Sequence, residues 1–352
     1  MKIGFLVKTV NPKNGAGRYA SDIINTLRKR GSDVLILKEE DDGLEGEVVI
    51  SRGVKIFVSV KDLREKLKDC DVIHAIDGYP YGIIAWLVNR KLGKKLIISA
   101  LGTYAVAPLY RWQTSLLLKK AYLSAHKIIA ISNLTKNKIL EKIALKNITV
   151  INPGIQLGGG TFQRTDSAEK FVMGVGALKE RKGYHISLAA FAKIADEFKD
   201  LRYVIVADPD RAYRQILDEF IKKNNLVGRV DFLSFIPEEQ LINLYSKAQL
   251  FVLTSINTSD NHFEGFGLVY LEAAKFGLPI IGTFNTGGED AINNGKNGIL
   301  VHQGNIDETA EAMRKILLNS DLSEKMRKES LEWAKLNSVE GEVDKIIEIY
   351  NS

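Results

Sequence analysis

The sequence contains very little cysteine and no long apolar run. Cys70 is the only cysteine among the 352 residues, which excludes an intrachain disulfide and a cysteine-rich metal site. No stretch reaches the roughly 18 apolar residues that cross a membrane as a helix. The first residues also lack the basic start and apolar core of a signal peptide. We therefore expect a cytoplasmic protein.

Acidic residues are scarce in the first half of the chain. Residues 1–160 carry 26 Lys and Arg against 14 Asp and Glu, a balance of +12, whereas residues 161–352 carry 23 against 29, a balance of −6. This asymmetry predicts that the first half meets a polyanion, such as a phosphate-bearing acceptor or anionic lipid headgroups. Nucleic acids are polyanions too, but the remaining motifs do not lead us to expect one. The alternative is a lysine-rich surface that only meets water.

The length of the chain predicts two domains, and the alternation of strand-like and helix-like segments predicts that both are α/β domains. A chain of 352 residues exceeds what one hydrophobic core usually fills. Short apolar runs rich in β-branched residues alternate with helix-length segments, which is typical of parallel sheets covered by helices on both faces. The predicted strands are residues 3–7, 33–37, 48–50, 55–58, 71–75, 95–99, 127–131 and 148–151 in the first half, and 171–176, 202–207, 229–232, 249–253 and 279–281 in the second.

Residues 152–161 are the predicted domain boundary, because Pro153 and four glycines interrupt any regular element there. We predict an N-terminal domain of residues 1–155 and a C-terminal domain of residues 160–335, with a final helix at 338–352 packed on the N-terminal domain. Two Rossmann-like domains imply a cleft between them, and open parallel sheets bind ligands beyond the carboxyl ends of their strands.

The most informative segment begins after a predicted strand and a polar loop. We predict a helix over residues 266–276, and the amides of Phe266, Gly267 and Leu268 at its start would be free to bind an anion. Gly265 and Gly267 would allow that anion to approach the backbone closely. A diphosphate fits this description.

Two glutamates, Glu264 and Glu272, flank the start of the predicted helix. At a rise of roughly 1.5 Å per residue their backbones lie about 12 Å apart, which does not suit an acid/base couple acting on one glycosidic bond. A carboxylate can accept two hydrogen bonds from a diol, so we assign Glu272 to ribose hydroxyls and Glu264 to hydroxyls of a transferred sugar. The alternative is a helix that is acidic at its start because the helix dipole favours carboxylates there.

A second loop carries positive charge. Residues 175–183 leave a strand and enter a helix through glycines, and Lys182 stands where its ammonium could neutralise a leaving diphosphate. Arg181 lies beside it. Taken alone, Lys182 followed by Gly183 is also typical of a solvated turn.

Taken in order, these segments resemble the retaining glycosyltransferases of family 4 (glycosyl transferases group 1), whose GT-B fold consists of two facing Rossmann-like domains. The family's Glu-x7-Glu element is similar to residues 264–272, its Lys-Gly pair to Lys182-Gly183, and its Gly-Gly loop to Gly287-Gly288. The resemblance implies that a hexose-type sugar is transferred with retention from a nucleoside diphosphate sugar, either UDP-sugar or GDP-sugar. The acceptor would be a hydroxyl group of a glycan, a lipid-linked molecule or a small molecule.

The resemblance also implies a set of site residues. Lys182 and Glu264 would be catalytic, and no metal or other cofactor would be required. An acidic Asp-x-Asp motif in a suggestive setting is absent, which agrees. The implied donor-binding residues are Gly15, Gly17, Arg181, Lys182, Glu264, Gly265, Phe266, Gly267, Leu268 and Glu272.

The acceptor side is predicted from the first domain. The turn that contains Gly15 and Gly17 resembles the family's N-terminal loop, which reaches toward donor and acceptor. Family members often carry a histidine where this chain has Leu101, which puts a histidine-assisted mechanism in doubt. His74 resembles another recurrent histidine, with a buried packing role as the alternative. The predicted acceptor residues are His74, Gly102, Thr103 and Tyr104.

Residues 110–120 mix aromatic, aliphatic and cationic side chains at helical spacing. Such a helix can lie on an anionic membrane, so a peripheral contact with the inner face of a membrane is a further expectation. The alternative is an amphipathic helix that packs on its own sheet.

Two other functions remain open from the residues. A GT-B relative could epimerise or hydrolyse a sugar nucleotide, although no convincing acid/base pair is recognisable for it. A noncatalytic sugar- or nucleotide-binding protein could keep the same fold.

Overall fold

A computed structural model describes residues 1–51, 56–156, 169–208 and 210–352. The chain divides into two compact units, unit 1 comprising Met1–Gln156 with Ser338–Ser352 and unit 2 comprising Leu157–Asn337. The predicted domain start at residue 160 and the 157–161 part of the predicted linker lie outside the described residues.

Unit 1 contains a seven-stranded sheet in which neighbouring strands are parallel. Its strands are β1 (Lys2–Val7), β2 (Asp33–Lys38), β3 (Glu47–Val48), β4 (Val72–Ile76), β5 (Lys95–Ala100), β6 (Lys127–Ala130) and β7 (Ile148–Val150). Their order is β3-β2-β1-β4-β5-β6-β7. The central strands are buried along nearly their whole length, because helices cover both faces of the sheet, and their sequences are therefore continuous apolar runs.

The first and the last of the helices that connect these strands begin at side-chain caps, Asn14 and Ser132. The Asn14 side chain accepts a hydrogen bond from the Gly17 amide, so the first helix starts four residues earlier than the predicted Tyr19. The helices are α1 (Gly15–Lys29), α2 (Ile56–Leu67), α3 (Ile83–Asn89), α4 (Thr103–Val106), α5 (Trp112–Ser124) and α6 (Asn133–Leu140).

The predicted strand at residues 55–58 is wrong for the part that the structure describes. Lys55 lies outside the described residues, and α2 begins at Ile56. Farther along this helix Val60, Leu63 and Leu67 are buried, at the spacing of one helix face. The β-branched run at the start of α2 is therefore followed by apolar residues at helical spacing, and the four residues 55–58 are too few to show that spacing.

Unit 2 contains a six-stranded parallel sheet. Its strands are β8 (Lys170–Val175), β9 (Leu201–Val206), β10 (Val230–Leu233), β11 (Leu250–Val252), β12 (Ile280–Thr283) and β13 (Gly298–Val301), in the order β10-β9-β8-β11-β12-β13. Its helices are α7 (Tyr184–Ile194), α8 (Arg211–Lys223), α9 (Glu238–Lys247), α10 (Leu268–Lys275), α11 (Gly288–Ala291), α12 (Ile306–Leu318) and α13 (Ser320–Leu336).

The last helix, α14 (Val339–Asn351), belongs to unit 1 and packs on α1. Ile155 and Ser338 form an isolated parallel bridge. Gly154 lies so close to Ser338 that a Cβ at position 154 would overlap its backbone. Among the described residues, no helix combines the length and the apolar composition needed to cross a membrane.

Candidate functional site

The candidate donor site lies in unit 2, where the strand order of the sheet reverses. β8 and β11 are neighbours, but the chain continues from β8 toward β10 and from β11 toward β13. Ligands of open parallel sheets bind at this switch point, beyond the carboxyl ends of the strands. Lys182 lies on the loop after β8, and Glu264 lies on the loop after β11.

The loop after β8 is held in place by the segment after β11. A short 3-10 turn over Glu180–Lys182 ends at Gly183, which has a left-handed φ of 68°. A Cβ on Gly183 would overlap the carbonyl oxygen of Thr254, whose hydroxyl donates a hydrogen bond of 2.7 Å to the Gly183 carbonyl. The Ile256 amide donates to the Arg181 carbonyl at 2.8 Å. These contacts place Lys182 firmly at the switch point.

The loop after β12 joins the same cluster. The Gly287 amide donates a hydrogen bond of 2.9 Å to the Glu264 carbonyl. A Cβ on Gly287 would overlap the carbonyl oxygen of Gly265, so only glycine permits this close approach. The first glycine of the Gly287-Gly288 loop is thus needed to bring three loops together.

An ion pair joins two predicted catalytic residues. The Lys182 ammonium nitrogen lies 2.6 Å from a Glu264 carboxylate oxygen, and an Arg181 guanidinium nitrogen lies 3.2 Å from the same oxygen. Lys182 and Glu264 are both buried. Burial alone would raise the pKa of Glu264, but Lys182 and Arg181 outweigh it and hold the pKa below its ordinary value. Glu264 is therefore an ionised acceptor at neutral pH.

Helix α10 begins at Leu268, two residues later than expected. Gly267 precedes it with a left-handed φ of 84°, which is not a helical conformation, and a Cβ there would lie 2.6 Å from the ring of Tyr270. In the described part of the chain, the amides of Phe266, Gly267 and Leu268 donate to no other group. The later start preserves the predicted property, because backbone donors remain available at a helix amino end.

Glu272 lies in the second turn of α10 and is half-buried. Its carboxylate accepts a hydrogen bond of 3.1 Å from the Tyr245 hydroxyl. The ring of Tyr245 stacks on Phe276 with 5.3 Å between centroids, so the tyrosine is fixed in turn. The stacked Tyr245 therefore orients the Glu272 carboxylate, and this contact is separate from the Lys182–Glu264 ion pair.

In unit 1, Gly15 and Gly17 occupy the first turn of α1. A Cβ on Gly17 would overlap the carbonyl oxygen of Asn11, whereas one on Gly15 would meet open space. Gly17 therefore permits a tight turn after β1, and Gly15 is exposed at the helix start.

The predicted acceptor loop follows β5. Gly102 has a φ of 111° and precedes α4, which begins at Thr103. Tyr104 has 65% of its surface exposed, so its ring is available to a ligand. Gly102 ends the loop after β5, and Thr103 and Tyr104 form the start of α4 at the carboxyl edge of the unit 1 sheet.

His74 lies in the core of unit 1. Its ring nitrogens contact the Tyr350 hydroxyl at 2.6 Å and the Ser99 hydroxyl at 2.8 Å. Its exposure is 0%, and burial lowers the pKa of His74 to about 3, so the ring is neutral. A buried neutral histidine with both nitrogens engaged holds α14 against the sheet, and we leave it out of the acceptor site.

Asp77 is a candidate functional residue of unit 1 that the sequence analysis did not identify. It follows β4 at the switch point of the unit 1 sheet, with a φ of 89°, and its carboxylate accepts a 2.8 Å hydrogen bond from the Gly78 amide. Burial raises the pKa of Asp77 to about 7. The Leu101 amide also points at this carboxylate, at 3.5 Å. The available signal was an Asp-Gly pair two residues after the end of the strand predicted at residues 71–75.

The chain is similar to known protein families along most of its length. Residues 13–158 match the family described as Glycosyltransferase Family 4, and residues 162–333 match the family described as Glycosyl transferases group 1. Together the two matches include every candidate residue of both units, from Gly15 to Glu272.

Individual relatives agree with these matches. A D-inositol 3-phosphate glycosyltransferase of Corynebacterium urealyticum is 24% identical over 411 aligned positions that cover 100% of this chain and 96% of the relative. A 2-deoxystreptamine N-acetyl-D-glucosaminyltransferase of Niallia circulans is 31% identical over 159 positions, which cover 45% of this chain and only 39% of that protein.

Solved structures resemble the whole chain. Anabaena HepE, crystallised in complex with UDP and glucose, has a TM-score of 0.83 at 21% identity, and 100% of each chain is covered. The sucrose-phosphate synthase of Thermosynechococcus elongatus has a TM-score of 0.81 at 19% identity, covering 100% of this chain and 98% of that one. These similarities confirm the predicted GT-B fold class.

Proposed function

This chain belongs to the family 4 glycosyltransferases, enzymes that transfer sugars from nucleotide sugars, and from that premise we propose a specific reaction for it. A hexose-type sugar moves from a nucleoside diphosphate sugar to a hydroxyl acceptor with retention of configuration. The predicted enzyme class is confirmed by the family matches, which do not favour a sugar-nucleotide epimerase, a hydrolase or a noncatalytic binding protein.

The observation that carries this proposal is the Lys182–Glu264 pair beside the open amides at the start of α10. Those amides receive the diphosphate, and Lys182 and Arg181 balance its charge, which supports a reaction without a resident metal. An ammonium has three donors, so Lys182 can contact a phosphate oxygen and still hold Glu264. Glu264 accepts hydrogen bonds from the transferred sugar, and Glu272 accepts them from the ribose.

The chemical step breaks the bond between the sugar's anomeric carbon and the diphosphate oxygen, and the electron pair leaves with the diphosphate. The acceptor oxygen bonds to the anomeric carbon on the same face, and its proton passes to the departing phosphate oxygen. No side chain serves as a covalent nucleophile. Lys182 and the amides act mainly by stabilising the charge that develops on the leaving group.

Unit 1 binds the acceptor, through the Gly102–Tyr104 part of its loop and the turn around Gly15 and Gly17. The positive balance of residues 1–160 supports an acceptor that carries phosphate or a lipid anchor. We place this binding at the inner face of a membrane, where anionic headgroups attract basic surfaces, as a peripheral contact.

A thermal-shift panel of UDP-, GDP- and ADP-sugars tests the donor. UDP-glucose is the first choice, because the similar HepE was crystallised with it. A donor at about a hundred times its dissociation constant should stabilise the protein by roughly 2.7 kcal/mol. Release of the nucleotide in the presence of an acceptor, with retention seen by NMR of the product, would complete the test. If the donor binds but no nucleotide is released with any acceptor tested, the proposal is contradicted.

A further inference from the structure

The Asp77 carboxylate has one engaged oxygen and one open oxygen. Oδ1 accepts hydrogen bonds from the Gly78 amide at 2.8 Å and from the Leu101 amide at 3.5 Å. Oδ2 accepts no hydrogen bond from the residues that the structure describes, although Asp77 as a whole is only 7% exposed. Oδ2 is not among the side-chain atoms that are both fully enclosed and unpaired, so it borders an opening.

The Asp77 backbone is held in an uncommon conformation. Its φ of 89° lies in the left-handed region, which favours glycine. Its amide donates a 2.9 Å hydrogen bond to the Ser99 carbonyl, and its carbonyl accepts one of 3.1 Å from the Gly82 amide. Backbone strain that is kept in place by such bonds clusters at ligand sites, which makes the position of this side chain a candidate for function.

The turn that follows Asp77 packs on the predicted acceptor residues. The turn Gly78–Gly82 contacts α4, whose first residues are Thr103 and Tyr104. A Cβ on Gly78 would overlap the hydroxyl group of Tyr122, which donates a 2.8 Å hydrogen bond to the Ala105 carbonyl in α4. Asp77 is therefore fixed relative to the start of α4.

Tyr104 presents an open aromatic ring close to this carboxylate. Its exposure is 65%, and within the described part of the chain its hydroxyl forms no hydrogen bond and its ring contacts no other ring or cation. Three residues separate Tyr104 from Leu101, whose amide points at Asp77, so the backbones of Tyr104 and Leu101 lie within roughly 11 Å of each other.

A carboxylate oxygen beside an aromatic ring suits a sugar ring. The hydroxyl groups around a pyranose donate hydrogen bonds that a carboxylate accepts. The C–H bonds on the face of a pyranose are weakly positive and pack on the negative face of an aromatic ring. A phosphate group would be repelled by the ionised carboxylate, and an alkyl chain would leave Oδ2 without a donor.

We propose that Asp77 and Tyr104 form a saccharide subsite in unit 1, so that the acceptor presents a pyranose ring to the enzyme. Oδ2 of Asp77 accepts a hydrogen bond from a ring hydroxyl, and the ring of Tyr104 stacks on the C–H face of the sugar. The inference rests on the proposed function, in which unit 1 binds the acceptor, and it narrows the acceptor from any hydroxyl compound to a sugar.

Nucleotide release in the presence of simple acceptors tests this subsite. The donor is UDP-, GDP- or ADP-glucose, whichever stabilises the chain most, and the acceptor probes are the methyl pyranosides of glucose, galactose and mannose. At least one pyranoside should accelerate nucleotide release by the wild type about tenfold over water. Glycerol has hydroxyl groups but no ring, so it should accelerate release far less.

Asp77→Asn separates binding of the acceptor from folding. Asparagine tolerates a positive φ, and its side-chain oxygen can still accept from the Gly78 amide, but its NH2 group replaces the open acceptor. The KM for the pyranoside should rise at least about tenfold, while the dissociation constant for the donor stays unchanged. The matched control is Asp69→Asn, because this exposed carboxylate lies before β4, at the opposite edge of the sheet.

Tyr104 variants test the ring. Tyr104→Ala should raise the KM for the pyranoside about fivefold and leave the slow reaction with glycerol unchanged, because glycerol has no face to stack. Tyr104→Phe keeps the ring and should behave like the wild type. The side chain is largely exposed, so both variants should fold normally.

A pH profile distinguishes a binding role of Asp77 from a structural one. Burial raises the pKa of Asp77 to about 7, and the Gly78 and Leu101 amides lower it in part. The titratable side chain that faces Asp77 from α5 is Tyr122, which burial keeps neutral. The ionised carboxylate is the better acceptor, so the ratio of wild-type to Asp77→Asn kcat/KM for the pyranoside should rise about tenfold from pH 6 to pH 8.

Each contrary result has a distinct meaning. If folded Asp77→Asn and Tyr104→Ala both keep the wild-type KM for the pyranoside, the subsite is overturned while the transfer reaction stands. If glycerol serves as well as every pyranoside, the acceptor is not selected as a sugar and the inference is overturned. If the wild type binds donor but releases no nucleotide with any of these acceptors, the proposed function fails and this inference fails with it.

Discussion

Lys182 and Glu264 form a buried ion pair across two loops of unit 2, with 2.6 Å between nitrogen and oxygen. Because both side chains are buried, removing either charge disturbs the other as well as any ligand. Stability and activity are therefore coupled at this position, and only a pair of substitutions separates them.

Replacing Lys182 should reveal that coupling. Lys182→Met should lower the free energy of unfolding by about 3 kcal/mol, because it removes the nearer of the two cations that contact the buried Glu264 carboxylate. It should also lower kcat/KM by about a hundredfold or more, because the leaving diphosphate loses a cation. The double variant Lys182→Met/Glu264→Gln should regain most of the stability but not the activity.

Chemical denaturation and nucleotide-release kinetics measure these effects. Lys179→Met is the matched control, since this exposed lysine lies on the same loop and should change neither quantity appreciably. Recovery of activity in the double variant would show that Lys182 is structural and not catalytic.

Glu272→Gln should weaken donor binding without unfolding the protein. An amide keeps one acceptor for the ribose but loses the charge, and hydrogen bonds to charged groups contribute about 1.5–3 kcal/mol. We expect the dissociation constant for the donor to rise at least about tenfold in isothermal titration calorimetry. The exposed Glu239→Gln serves as the control. An unchanged affinity for the donor would remove Glu272 from the site.

Gly183→Ala should be far more harmful than Gly228→Ala. Both glycines have a left-handed φ, of 68° and 80°, so both substitutions carry backbone strain of about 1 kcal/mol. A Cβ at Gly183 also overlaps the Thr254 carbonyl, whereas one at Gly228 meets open space. Gly183→Ala should therefore displace the Lys182 loop and abolish donor binding.

Thermal unfolding and donor titration of the two glycine variants provide the comparison. Gly228→Ala should melt slightly earlier than the wild type and bind donor normally. Equal behaviour of both variants would mean that docking of the loop on Thr254 is not required.

Glu342→Gln should change how stability depends on pH. Glu342 lies on α14 and accepts a 2.8 Å hydrogen bond from the Gly154 amide. Burial raises the pKa of Glu342 from 4.5 to about 8. Between these values the folded chain holds a proton that the unfolded chain has released, so stability falls as the pH rises and the loss is complete above about pH 8.

Glutamine stays neutral and still offers a carbonyl to Gly154. We therefore expect wild type and Glu342→Gln to melt alike at about pH 5, and the variant to be more stable at about pH 9. The exposed Glu340→Gln on the same helix is the control. A constant difference between wild type and Glu342→Gln at all pH values would contradict a shifted titration.

Local patterns were enough to predict most of the architecture. Strands of a parallel sheet are buried on both faces, so a continuous apolar run such as Ile3 to Val7 directly indicates a strand. The failure at residues 55–58 came from the same rule, because a β-branched run can also open a helix whose apolar spacing appears only later, at Leu63 and Leu67. The start of α10 was misplaced by two residues because only the φ of Gly267 reveals the break.

The amino-acid order alone therefore determined that this chain has two parallel α/β units and a helix that starts near Gly267, since periodicity and glycine placement act over a few neighbouring residues. The folded arrangement was needed to pair Lys182 with Glu264, to bury His74 against Tyr350 and to bring the Leu101 amide to the Asp77 carboxylate. Those outcomes depend on which distant loops meet at a strand reversal, and no local pattern encodes that meeting.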